Sequence, residues 1–230
     1  MEFTSDSKSL ISASNDKTIR LWNLANKKSE VIIASEQRVR TIKLSNNGQT
    51  VYAGTDNGEV KQWSLSNKAS TTLVSYANNT IYSIDANATG EFLAIGDKFG
   101  TVRIIRARNG ETIKTFSAHT ARIFDLAFDP PGNYLASTSL DGTIRLWSLT
   151  NMTLPPITLT GHNSWVLSVS FSNDGNYLVT SADKGDLIRV WPVNAQQMAK
   201  TACGLINRDL SENEWKIHVA DDIPYQKACK

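Results

Sequence analysis

The feature that most constrains this chain is a unit that recurs every forty-odd residues and closes on a tryptophan. Trp22, Trp63, Trp147 and Trp191 fill the closing slot, with Ile105 in the third copy, at spacings of 41, 42, 42 and 44 residues. Self-similarity at such a period means one small unit copied in series. No copy can bury its apolar face alone, so neighbours must stack to make the core. Period-two alternation marks strands within each copy, and short Gly, Asn and Asp clusters between them mark hairpin turns. In the second copy this pattern predicts strands over Val39–Leu44, Thr50–Ala53, Glu59–Leu65 and Thr71–Val74. The class is all-β.

The fourth copy is the fullest. It runs from His119 through Ile123, Leu126 and Phe128, then from Gly132 through Leu135, Ser137 and Asp141 to Arg145-Leu146-Trp147. Gly161-His162 opens the fifth copy and Thr18-Ile-Arg-Leu-Trp22 closes the first. Across residues 1–193 the chain resembles the WD-repeat family, which implies four-stranded blades of a β-propeller, most often seven to a ring. Met1 to Leu10 aligns with Val169 to Leu178, so the chain starts inside a blade and holds about four and a half blades. We therefore expect an incomplete propeller with open blade faces, suited to self-association or to pairing with a missing N-terminal propeller segment.

Residues 194–230 fall outside the repeat. Asn194 can cap a helix over about 195–206, and Ser211-Glu-Asn-Glu214 is a capping box for a second short helix carrying Trp215. This α-helical C-terminal tail is expected to pack on the last blade. Its pattern Cys203, Arg208, Leu210, Ser211, Trp215, Tyr225, Cys229 resembles the tail of large bacterial WD-repeat proteins, which often carry an N-terminal effector or signalling domain. The two cysteines read as reduced, buried apolar residues, with a disulfide as the alternative.

The family resemblance also implies roles for polar residues. His119, Ser137, Asp141 and Trp147 are types that could be read as a catalytic triad, but in the family they form a buried relay of hydrogen bonds. The corresponding residues are Ser12, Asp16 and Trp22 in the first copy, and His162, Thr180, Asp183 and Trp191 in the fifth. Ala53 and Asn57, and then Ile95, Phe99 and Ile105, replace them in the second and third, which must rely on packing. In the first strands, the faces carrying Ile42 and Leu44, Ile84 and Ala86, Leu126 and Phe128, and Val169 and Phe171 suit contacts between blades. The alternate faces, beginning at Val39, Ile81, Ile123 and Val166 and including Lys43, Asp85 and Asp125, are expected to line the channel.

Partners of WD-repeat proteins commonly sit over the channel mouth where the first strands begin. The residues three past the His position fall there: Arg38, Thr80, Arg122 and Trp165. Arg and Trp join large contact area to directional donors. Arg40, Tyr82 and Phe124 are expected to pack between blades instead.

The net charge is +2 with no run of five or more like charges, which gives no electrostatic footprint for nucleic acid. No apolar stretch reaches membrane-spanning length, and the start lacks signal-peptide regions, so a cytosolic protein is expected. The N-x-S/T triplets at Asn78, Asn87 and Asn151 then read as turns. No phosphate loop or dinucleotide fingerprint is present. We expect a non-catalytic scaffold that binds protein or peptide, without cofactor or metal, as the docking part of a larger bacterial signalling protein. The alternative is an enzyme built from channel groups such as Asp85 and Asp125 with a metal.

Overall fold

A computed structural model describes residues 1–117, 119–185, 188–193 and 211–213. Of the expected helical tail, 194–230, only residues 211–213 are described, and Trp215 and both cysteines lie outside the described residues.

The described strands form five antiparallel sheets in chain order, four of four strands and the last of three. The first sheet contains β1 (Glu2–Phe3), β2 (Ser9–Ala13), β3 (Thr18–Asn23) and β4 (Lys28–Ala34). The second contains β5 (Val39–Leu44), β6 (Thr50–Thr55), β7 (Glu59–Ser64) and β8 (Ser70–Ser75). The third contains β9 (Ile81–Ala86), β10 (Phe92–Asp97), β11 (Thr101–Arg106) and β12 (Thr112–Ser117). The fourth contains β13 (Ile123–Phe128), β14 (Tyr134–Ser139), β15 (Ile144–Ser148) and β16 (Ile157–Leu159). The fifth contains β17 (Val166–Phe171), β18 (Tyr177–Ala182) and β19 (Ile188–Pro192). Each is an up-and-down meander, and the first strands β5, β9, β13 and β17 lie side by side around one axis. The architecture is an arc of a β-propeller.

The core is divided into four clusters, each between consecutive blades. Ile11, Ile19, Ile32 and Ile33 of the first blade meet Val39, Ile42, Val51 and Trp63 of the second. Ala94, Val102, Ile104 and Phe116 of the third meet Leu126, Leu135 and Trp147 of the fourth, where Phe116 stacks on Trp147 at 4.4 Å between centroids. Every blade thus buries its C-terminal-side face against the N-terminal-side face of the next. The faces at the two ends of the arc have no such neighbour among the described residues. Phe3, Trp22 and Val31 are exposed on the first blade, and Val179, Ile188 and Val190 on the fifth.

The sequence expectation for the channel needs one correction. Pairing between the first two strands shifts register between Val39 and Thr41, Ile81 and Ser83, Ile123 and Asp125, and Val166 and Ser168. The extra residue of each β-bulge re-aims its neighbours. As a result Val39, Ile81, Ile123 and Val166 are fully buried between blades, away from the channel. Ile81 lies against Gly54 and Ile123 against Gly96, where a Cβ would come within 2.5 Å of the isoleucine Cγ2. Ala13 and Thr138 occupy that slot in the first and fourth blades, and the residue entering from the next blade is then the smaller Val39 or Val166. Volume is matched across each junction.

Gly96→Ala should therefore cost about 1–3 kcal/mol through overpacking. Adding Ile123→Val should recover part of it, although Ile→Val alone destabilises. A double-mutant cycle by chemical denaturation checks this, and strict additivity would contradict the junction packing.

Candidate functional site

The fourth blade holds the complete relay. The Trp147 indole N–H donates to Ser137 Oγ at 2.9 Å, and Ser137 Oγ lies 2.7 Å from His119 Nε2. His119 Nδ1 lies 2.9 Å from Asp141 Oδ2, so Nδ1–H donates to the carboxylate and Nε2 is left to accept from the serine hydroxyl. The Thr143 hydroxyl and the Thr120 and Thr143 amides also donate to Asp141. Burial alone would raise the Asp141 carboxyl, but the hydrogen bonds from His119 and Thr143 outweigh it and hold the group well below the usual carboxylate range. Each polar atom is occupied by another of the set. The relay ties the second and third strands to the loop entering the blade and is a structural clamp.

The other copies keep fragments of this clamp. In the first blade Trp22 donates to Ser12 at 2.7 Å, and Asp16 accepts from the Thr18 amide and hydroxyl. In the fifth, Trp191 donates to Thr180, which lies 2.8 Å from His162 Nε2. Asp183 is displaced from its expected role. Its amide donates to Trp165 O as the Leu140 amide donates to Arg122 O, so Asp183 fills the slot before the relay acid. This turn carries one residue more than its counterpart in the fourth blade, and residues 186 and 187 lie outside the described residues.

The third blade replaces the relay with a network that the repeat pattern does not reveal. Ile95 and Ile105 fill the serine and tryptophan slots, fully buried. Asp97, also fully buried, accepts from Asn79 Nδ2 at 2.7 Å, from the Phe99 and Thr101 amides and from Arg103, whose guanidinium lies 4.3 Å from the Tyr76 ring. The signal available in sequence was an acid ending the second strand with an arginine six residues on.

In the channel, Lys43 pairs with Asp85 at 2.8 Å, and Asp85 accepts the Phe128 amide of the next blade. Asp125 accepts the Val169 amide and the Ser168 hydroxyl of the blade after. Burial raises the Asp125 carboxyl against those hydrogen bonds. These carboxylates clip inner strands together. They border a cavity of 550 Å³ at the channel end away from the rim. No group of three or more metal-ligating side chains occurs among the described residues.

The four rim residues take equivalent positions. Just past each second strand, the amides of Asp56, Lys98, Leu140 and Asp183 donate to the carbonyls of Arg38, Thr80, Arg122 and Trp165 at 3.0–3.1 Å. Their side chains then diverge. Arg38 reaches toward Asp56 at 3.9 Å, and the Thr80 hydroxyl donates to the Asp56 carbonyl. Trp165 stands 52 % exposed. Arg122 lies between the rings of Tyr82 and Phe124, at 4.8 and 4.5 Å. Those rings occupy the bulge positions, as does Arg40. Arg40 and Tyr82 make the expected contacts between blades, Arg40 with Asn15 of the preceding blade and Tyr82 with Arg122 of the following one, while Phe124 packs on Arg122 within its own blade.

A stack of antiparallel meanders, clamped by a complete Trp-Ser-His-Asp relay in the fourth blade and parts of one in the first and fifth, defines a propeller of repeat blades. Residues 1–23, 27–64, 110–148 and 154–192 match the family described as WD domain, G-beta repeat, and the chain belongs to it. The unmatched stretch includes most of the third blade, the one without tryptophan or relay. The chain is 24 % identical over 79 % of its length to the transcription initiation factor TFIID subunit 5 of Caenorhabditis elegans. It is 26 % identical over 86 % to apoptotic protease-activating factor 1 of Rattus norvegicus, and 27 % identical over 74 % to THO complex subunit 3 of Arabidopsis thaliana. It spans 28, 12 and 54 % of those relatives' own lengths.

Two outcomes follow for the relay. His119→Ala should lower stability by about 1–3 kcal/mol by stranding buried partners, and Asn57→Ala in the second blade should cost less. Because the Asp141 value is depressed on folding, its contribution is full above the unfolded value of about 3.9 and is lost as pH falls below that. Melting temperature should therefore fall more steeply below pH ~4 in the native chain than in Asp141→Asn, as thermal scans across pH would show.

Proposed function

We propose that this chain is a non-catalytic docking platform whose rim at the start of the inner strands receives a protein or peptide. The observation that carries this reading is the contrast at the rim. One backbone hydrogen bond repeats blade after blade, while the side chain it presents changes from Arg38 to Thr80, Arg122 and Trp165. A constant frame with variable display is what recognition requires, and catalysis would need converging reactive groups with free atoms. WD-repeat relatives generally serve as protein-interaction scaffolds. Two of those matched are named as subunits of larger assemblies. The resemblance of the tail supports a further part of the proposal, that the platform is the docking end of a larger bacterial signalling protein acting in the cytosol. In such a protein, further blades would cover the open end faces.

The test is site-specific photo-crosslinking in cells of the source organism. A crosslinking residue at position 165 should give discrete protein adducts, at least about tenfold more abundant than from position 24 in an exposed turn at the opposite end of the strands, since hot spots concentrate binding energy. Adducts from 24 alone, or from neither, would overturn the rim as the docking face.

A further inference from the structure

Three described arginines lie over aromatic rings in blades three and four, and their electrostatic surroundings differ. Arg103, over Tyr76, has Asp97 as its counter-ion. Arg106, over Phe92, has both Glu91 and Glu111. Arg122 is held on two rings, Tyr82 and Phe124, and has neither an acid nor a hydrogen-bond acceptor among the described residues. Its Nε is sealed from water without an acceptor. A guanidinium that is fixed in place and partly stripped of water binds an incoming anion strongly, because little rotamer freedom remains to be lost.

The surroundings narrow the anion. Arg38 is already directed at Asp56, and Arg40 donates to Asn15. The neighbouring rim slot is Trp165, exposed and apolar. The turn carrying Phe99, 61 % exposed, abuts the loop that leads into Arg122: a Cβ at Gly100 would come within 2.6 Å of the Ala121 carbonyl. One uncompensated positive charge flanked by exposed aromatic surface matches a singly charged carboxylate beside apolar residues. A phosphate would call for a cluster of arginines.

Resting on the docking reading above, we propose that Arg122 is the receptor for an aspartate or glutamate carboxylate of the docked peptide, with Trp165 and Phe99 taking apolar side chains next to that acid. The planar guanidinium offers the carboxylate a two-point contact that lysine cannot reproduce. Tyr82 and Phe124 are positioning residues for it.

The probes are immobilised twelve-residue peptide pools with Phe and Leu flanking a central Glu, Gln, phosphoserine or Lys and the other positions randomised. The native chain should retain the Glu pool about tenfold over the Gln pool, as expected of a desolvated charge contact. In Arg122→Gln that ratio should fall to near one, and in Arg122→Lys it should be intermediate, with melting temperatures confirming that both fold. Trp165→Ala should weaken the Glu and Gln pools alike. Equal retention of Glu and Gln by the native chain, a preference that survives in Arg122→Gln, or tenfold stronger retention of phosphoserine would each overturn the proposal. Rejection of every pool would overturn it too. If adducts from position 165 persisted in any of these cases, the rim would still dock a partner by other chemistry, whereas loss of those adducts would bring down the docking reading itself.

Discussion

Everything in this protein depends on blades packing face to face. Each sheet is too thin to shield its own apolar residues, and the structure has four cores for five blades, each shared by two neighbours. The hairpins inside a blade set the spacing of the strands, but burial is supplied by the next copy. Ile81, Ile123 and Val166, each 0 % exposed, reach that condition only because a β-bulge turns them out of the channel and into the seam with the preceding blade.

The same bulge separates structural chemistry from the display surface. Below it, Lys43, Asp85 and Asp125 are consumed by contacts between adjacent inner strands. At it, Arg40 bonds to Asn15 of the preceding blade, and Tyr82 and Phe124 hold Arg122 at the rim. Further out, the Trp-Ser-His-Asp relay holds the entering loop against the blade, so the rim rests on a frame anchored at two radii. The third blade shows that the frame tolerates different chemistry, since Asp97, Asn79 and Arg103 tie the same loop without histidine or tryptophan.

Much of this was legible from the sequence because repetition multiplies a weak signal. One alternating segment is ambiguous, but five at a constant period identify blades, and the strands Val39–Leu44 and Glu59–Ser64 fall where alternation put them. The hydrogen bonds among His119, Ser137, Asp141 and Trp147 were implied by the family resemblance and not by the alternation. The bulges were not, because one extra residue in a strand leaves the period-two pattern intact on either side while exchanging its faces, so Val39 was assigned to the wrong side. Asp183 was misplaced because an insertion in a turn cannot be located by composition. The stacking of Arg122 between Tyr82 and Phe124 joins residues 40 positions apart in sequence across a blade boundary, and only the curvature of the arc brings them together.

The pairing of Gly54 with Ile81, of Gly96 with Ile123 and of Thr138 with Val166 bears on how such an array can evolve. Although the copies look interchangeable, their seams are of two kinds, glycine against isoleucine and a larger residue against valine. Moving the third blade to follow the fourth, for example, would set Ile81 against Thr138 and Val166 against the empty Gly96 slot, and both ends of the transplanted unit would be wrong. Blade order is therefore hereditary information in its own right, and duplication or shuffling is expected to succeed when the crossover preserves both halves of a seam.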